Sequence, residues 1–315
     1  MNKSVRLAAV IIITVIVANA ARSDTIYVDV NAPNDPGQGS LSDPFLRVQD
    51  GIDAAVVGDV VLIRPGIYAG SGNFELDPNG KSVTIRGEDP NDPNVVARTV
   101  IDANQNGQVF IFDDGEDANC VVAGLTIRNG YAVTGVQKGG NIYCLSSTPT
   151  IRNCIIEDGF AASSGGGIHC HVASVTLENC VVQNNTSDFY GGGISSYFSQ
   201  PEIVGCEIIG NTANLQGGGF DGVRSDANFV NCRIAGNTAS RSAAMNCHSE
   251  STTLLEHCTV AGNTADDSGG GISCWDGAVI QVKNTILWAN AAPEGGQIHL
   301  EQFSGAEVSY SNVQG

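Results

Sequence analysis

Basic residues are scarce in this 315-residue chain: 15 Lys and Arg stand against 33 Asp and Glu, for a formal charge of −18. That balance excludes a nucleic-acid partner, because phosphate binding needs a basic patch and none is visible. It also means that an acidic polymer could bind only through bridging cations or a locally basic groove. Aromatics make up 6% of the residues and charged residues 15%. Beyond the N-terminus there is no apolar stretch long enough to cross a bilayer. A disordered chain is excluded by the steady recurrence of Val, Ile and Leu. What is abundant is glycine, 39 residues spread along the chain, which suits short strands and tight turns in a solenoid.

Residues 1–20 carry Lys3 and Arg6 ahead of an apolar run from Leu7 to Val17, followed by Ala18-Asn19-Ala20. This order is that of a secretory signal peptide with a small-x-small cleavage site. A membrane anchor needs about twenty apolar residues, and this run is shorter. The expected location is therefore secreted or on the cell surface, in a periplasmic or extracellular setting.

A repeat organises the remainder. Cys154, Cys180, Cys206, Cys232 and Cys258 follow one another at intervals of 26 residues, and Thr285 takes the next place one residue late. A second column, Ile142, Ile168, Ile194, Phe220, Met245, Ile272 and Ile298, follows glycine-rich turns such as Gly165-Gly166-Gly167. A third is Asn185, Asn211, Asn237, Asn263 and Asn290. Between the columns the residues alternate, as in Val175-Thr176-Leu177-Glu178, which is the period of a strand and not of a helix. Strands paired in register from coil to coil predict an all-β, right-handed parallel β-helix, a solenoid of single domain rising about 4.8 Å per coil. Stacked Asn side chains would satisfy turn backbone from coil to coil.

Residues 21–68 depart from the repeat and read as an N-terminal cap with the first strands, and residues 69–315 as the β-helix. Asp43 and Pro44 suit the N-cap and first position of a helix in which Phe45, Val48, Ile52, Ala55 and Val56 recur at helical spacing. Solenoid ends need such covers. The closing stretch Val308 to Gly315 reads as one more strand entering a turn, so a partner or a further segment is expected to cover the last coil.

Three stretches, Ile26-Tyr27-Val28-Asp29, Gln49-Asp50-Gly51-Ile52-Asp53-Ala54-Ala55, and Gly58-Asp59-Val60-Val61-Leu62-Ile63-Arg64-Pro65-Gly66-Ile67-Tyr68, resemble the opening of secreted bacterial pectate-lyase-like β-helix proteins. The Gly-Gly-Gly-Ile and Asn-Cys coils and the closing Tyr310-Ser311-Asn312-Val313-Gln314-Gly315 resemble the same group, over nearly the whole mature chain. The coils are also similar to repeats of polymorphic outer-membrane proteins, which display β-helices on cell surfaces. The first resemblance implies a polysaccharide partner, uronate-rich in the lyases, with Ca²⁺ as cofactor. It does not choose a reaction. The Trp-Ile-Asp-His stretch of classical pectate lyases and the Asn-Thr-Asp, Gly-Asp-Asp and Arg-Ile-Lys motifs of polygalacturonases are missing.

If Ile168 and Cys170 point inward, His169 and His171 point outward. In that register one outward column reads Tyr143, His169, Ser195, Asp221, Asn246, Ser273 and His299. The next reads Leu145, His171, Tyr197, Val223, His248, Trp275 and Glu301. Four of the five histidines fall here. An ordinary solvated sheet is the plain reading; the sharper one is a glycan surface, with Tyr143, Tyr197, His248, Trp275 and His299 contacting sugars through rings and polar groups. Lyase chemistry needs a cation to acidify the uronate α-proton and a base to remove it. Asp221, Arg224 and Asp226 come nearest, with Asp221 and Asp226 as Ca²⁺ ligands and Arg224 as base; His169 or His171 is the alternative base.

Alternation sends the Cys and His of His169-Cys170-His171 and Cys247-His248 to opposite faces, so structural zinc is not expected. The acidic loop Asp113-Asp114-Gly115-Glu116-Asp117 offers oxygen ligands for Ca²⁺, but reads first as a solvated loop. The ten cysteines read as a stack of buried thiols, since parallel side chains give poor disulfide geometry; Cys144 with Cys170 and Cys247 with Cys274 are the pairs that adjacent coils could join. Two functions follow: a secreted polysaccharide lyase, or a noncatalytic surface module that presents the same strip to glycan or protein.

Overall fold

The computed structural model describes residues 23–314, so the signal peptide expected at residues 1–20 lies outside the described residues. From Thr25–Val28 onward the chain winds as a right-handed parallel β-helix in which every strand pairing is parallel. One full coil shows how. Val181–Gln183 runs in a ten-stranded sheet, Thr186–Ser187 in a six-stranded one, Ile194–Tyr197 in an eight-stranded one and Glu202–Val204 in an eleven-stranded one. No helix among the described residues is long and apolar enough to cross a membrane.

Inward columns stack as the repeat predicts. Ile142, Ile168, Ile194, Phe220, Met245 and Ile272 pair in register and are buried, each contributing roughly 2–3 kcal/mol by removal from water. The Asn column forms an unbroken buried ladder: the side-chain amide of Asn185 donates to Oδ1 of Asn211 at 3.0 Å, and Asn211, Asn237 and Asn263 each pass the bond one coil further. Each amide also reaches a backbone carbonyl, such as Val182 O from Asn211. These corners are therefore fully paired inside the solenoid.

The cysteine column is more polar than its apolar packing suggests. Each Cys follows a left-handed corner residue, such as Asn179 at φ 51° or Asn231 at φ 54°. The Cys206 thiol donates to carbonyls of Leu177 and Val204 and accepts the backbone N–H of Cys180 at 3.4 Å. Where the column changes residue type, the Thr285 hydroxyl accepts from Cys258 N and donates to Leu255 O, and Ser311 repeats the pattern one coil later. All ten cysteines are buried and free. Titration of the denatured, unreduced protein is accordingly expected to count ten thiols, and a lower count would demonstrate a bridge.

The glycine triplets divide their labour by position. The first, as at Gly165 and Gly191, is left-handed at φ 68° and 60°. The second and third face the backbone of the next coil: a Cβ on Gly166 would lie 2.3 Å from Thr186 O, and one on Gly167 2.6 Å from Gly193 O. Positive φ and close approach are thus met by different residues of one turn.

The N-terminal helix spans Val48–Ala54, with Val48 and Ile52 buried in the core. It starts later than Asp43-Pro44 predicts, and its N-cap Arg47 makes no side-chain cap. The reason is that Phe45 is already committed to a strand-like bridge: its N–H donates to Tyr27 O, and its carbonyl accepts from Asp29 N. Asp43 instead accepts from the Asn34 side chain, and Val56 lies beyond the helix, exposed.

Candidate functional site

The eight-stranded sheet carries the outward columns in the predicted register. Tyr143 pairs with His169, His169 with Ser195, Ser195 with Asp221, Asp221 with Asn246, Asn246 with Ser273 and Ser273 with His299. The second column runs Leu145, His171, Tyr197, Val223, His248 and Trp275. Outward does not mean exposed, however. His169 and Asp221 each retain 2% of their surface and Asn246 1%.

A third column, absent from the sequence reading, explains that burial. Lys138, Ser164, Tyr190, Gln216, Arg241, Ser268 and Glu294 pair one with the next, each directly before a left-handed corner. The corner folds this column over the first outward one. A Cβ at Gly165 would come within 2.9 Å of the His169 Cβ, and one at Gly217 within 2.8 Å of the Asp221 Cβ. At these two corners the absent Cβ leaves its space to the floor side chain. The result is a cleft of about 460 Å³ with His169, Ser195, Asp221 and Asn246 on its floor. Tyr197, His248 and Trp275 form one wall, and Lys138, Tyr190 and Gln216 the opposite rim. The signal for this rim was present in the sequence as the residue before each glycine turn, recurring at nearly the same spacing.

Burial sets the electrostatics of the floor. Asp221 is pushed up to about 7 by desolvation, opposed only by the Asn246 amide that donates to it at 2.7 Å. His169 is pushed down to about 3 by burial, with help from nearby Lys138 and His171. Neither ring nitrogen of His169 has a hydrogen-bond partner. At neutral pH the floor thus holds a neutral imidazole and a carboxyl group poised between its two states. Asp221 is the only acid among the lining residues, in a chain of net charge −18.

Of the residues nominated from sequence, the cleft gathers His169, Asp221, Tyr197, His248 and Trp275. Tyr143 instead stacks on His169, with ring centroids 6.0 Å apart. His171 sits edge-on to Tyr197 outside the lining. His299 bonds Glu301 at 2.7 Å. Arg224 occupies a left-handed corner at φ 49° and lies over the Phe198 ring at 5.2 Å. Asp226 lines a different cavity and accepts the Thr252 N–H.

These positions do not assemble a calcium site from Asp221 and Asp226. Ca²⁺ takes six to eight oxygen ligands, whereas Asp221 is a single buried carboxyl held by an amide donor and Asp226 belongs to another face of the solenoid. The acidic loop does bring Asp113 and Asp114 near Asp77, their carboxylate oxygens within 4.8 Å of one another. Its Glu116 is spent on the backbone N–H groups of Gly80 and Asp114, and its Asp117 on Ser82 and Asn119. Cys170 and Cys247 point into the core while His169, His171 and His248 point out, as alternation requires.

The class defined by this geometry is a right-handed parallel β-helix with a cleft on one sheet face. The sequence matches the family model described as a right-handed β-helix region over residues 109–287, and the chain belongs to that family. Among solved structures it is similar to the pectate lyase Pel9A, with a TM-score of 0.57 and 13% identity over 93% of this chain and 79% of that one. A rhamnogalacturonan lyase gives a TM-score of 0.46 at 17% identity, covering 92% of this chain and 87% of its own. An alginate lyase from Paenibacillus sp. str. FPU-7 gives 0.42 at 12% identity, covering 92% and 99%. At 13% identity the likeness to Pel9A is one of fold. No curated protein sequence matches the chain.

Proposed function

We propose that the cleft binds an acidic polysaccharide lengthwise across the coils and that Asp221 handles the proton of a β-elimination. The observation that carries this reading is a carboxyl group buried on the floor of a cleft with aromatic walls, where desolvation pushes it up to about 7. Floor and wall residues from His169 to Trp275 span five successive strands, about 19 Å at the coil rise. That spacing puts roughly one sugar against each coil. Tyr197 and Trp275 offer ring faces, and Lys138 offers a cation for a uronate carboxylate. The fold is shared with a pectate lyase, which supports a polysaccharide over other ligands.

Glycoside hydrolysis usually needs two carboxyl groups flanking the bond, and the cleft lining holds one. Elimination needs one group that can take and return a proton, beside a cation that offsets the uronate charge. Ionised Asp221 removes the proton α to the uronate carboxylate as the electron pair forms the ring double bond and the glycosidic C–O bond breaks. Protonated Asp221 then delivers that proton to the leaving oxygen. Lys138 offsets the charge that builds on the uronate. No step passes through a metal.

The test is incubation of the secreted protein with polygalacturonate, alginate and related glycans, with Ca²⁺ or with chelator, following ultraviolet absorbance of unsaturated product. Product is expected in both conditions, and Tyr197→Ala or Trp275→Ala should weaken binding up to about tenfold. Glycan retention without product would reduce the cleft to a binding surface, and product only with Ca²⁺ would overturn the metal-free assignment.

A further inference from the structure

One break in the repeat lies beside Asp221. The corner residue before the floor is glycine at Gly165, Gly191, Gly217 and Gly269, but Ser242 in the coil between the last two, also left-handed at φ 57°. In that coil Ser242-Ala243-Ala244 replaces the glycine triplet. The interval from Phe220 to its partner Met245 is one residue short, and the interval from Met245 to Ile272 is one residue long. What sets this coil apart is a side chain at a corner that is glycine in the coils on either side.

Its hydroxyl has a specific use. Ser242 Oγ donates to Asn246 Oδ1 at 3.2 Å, and the Trp275 indole Nε1–H donates to the same oxygen. An indole N–H can only donate, so the atom facing it must be the amide oxygen. The amide nitrogen is thereby turned toward Asp221, where it donates at 2.7 Å. Three residues from two adjacent strands and the corner before them thus settle which end of one amide meets the carboxyl group.

We infer that Ser242, Asn246 and Trp275 form a positioning set that orients the Asn246 amide onto Asp221 and so prepares Asp221 for proton transfer. This inference rests on the reading of Asp221 as the proton-handling group. An amide N–H on the carboxyl favours its ionised form, the form that removes a proton, against the burial that favours the neutral one. A flipped amide would place oxygen against oxygen and hold Asp221 protonated. The titratable groups sharing this space are His169, His248, Lys138, Tyr190 and Tyr197 in the cleft and Cys247 on the adjacent strand. Arg241, on the rim, is paired with Asp267 at 2.7 Å. Trp275 serves twice in this arrangement, as a wall for sugar and as the donor that fixes Asn246.

The experiment is a carboxyl ¹³C NMR titration of aspartate-labelled protein, wild type against Asn246→Ser, Trp275→Phe and Ser242→Gly, with the pH dependence of unsaturated product measured in parallel. The Asp221 midpoint should rise by about one unit in Asn246→Ser. It should rise less, but in the same direction, in Trp275→Phe and Ser242→Gly. The rising limb of the pH–rate profile should move with it. Serine occupies the equivalent place at Ser195 and Ser273, and Trp275→Phe keeps a ring at a half-buried position, so two independent variants report on the set. An Asp221 midpoint that stays put in folded Asn246→Ser and Trp275→Phe overturns the inference. A shifted midpoint with no product at any pH confirms the set and overturns the elimination reading alone.

Discussion

Asp221→Asn is expected to stabilise the protein by about 4 kcal/mol above pH 7 while abolishing turnover. The carboxyl group titrates near 7 when folded against a model value of 3.8, and each unit of difference is worth about 1.4 kcal/mol. Between about pH 4 and 7 the folded chain holds a proton at this site that the unfolded chain has lost, so stability falls as pH rises through that window and levels off beyond it. The amide removes the dependence and can still accept the Asn246 hydrogen bond. Wild type minus variant, measured by denaturant unfolding from pH 4 to 8, should therefore widen with pH and then flatten. A difference independent of pH would mean that Asp221 titrates as an ordinary carboxyl.

His169 contributes the opposite slope. Its folded value of about 3 lies below the ordinary 6.5, so the unfolded chain takes up a proton first and stability falls as pH drops from 6.5 toward 3. Across pH 4 to 6.5 the two floor residues offset each other in the wild type, and removing Asp221 leaves the His169 dependence bare. A site that carries such a cost for an ionisable floor trades stability for chemistry.

Asn211→Ala should strongly damage the solenoid, destabilising it by about 3–5 kcal/mol. The side chain is fully buried and makes four hydrogen bonds, to Val182 O, to Asn237 Oδ1, and from the N–H and amide of Asn185, at 2.9 to 3.0 Å. Truncation leaves two buried backbone groups of the preceding coil, Val182 O and the Asn185 N–H, without these partners, each costing about 1–3 kcal/mol. Asn214→Ala, three residues on and exposed, bonded only to Asp188 among the side chains, should change stability by less than about 0.5 kcal/mol. Similar losses at the two positions would show that the ladder is not what holds the corner.

The register of the coils was legible because it depends on local rules alone. Alternation assigns inside and outside within a strand, and a constant interval aligns Ile142, Ile168 and Ile194 without knowledge of the corners between them. The helix was misplaced at its start because Asp43 and Pro44 satisfy local capping chemistry while Phe45 is recruited by a partner strand distant in sequence. Asp221, Arg224 and Asp226 looked like neighbours because they are close in the chain. The corner at Arg224 sends Asp221 and Asp226 to different faces.

The amino-acid sequence by itself thus determined the solenoid, its inward Cys, Ile and Asn columns, and which side chains face outward, since each follows from a period and an alternation that no distant contact can alter. Only the tertiary structure decided that the outward column of His169, Asp221 and Asn246 is buried. Its burial depends on how the glycine corner folds Lys138, Tyr190 and Gln216 over the sheet. It is that enclosure, a matter of distance across a turn and across coils, that moves Asp221 to neutrality and makes a sheet face into a cleft.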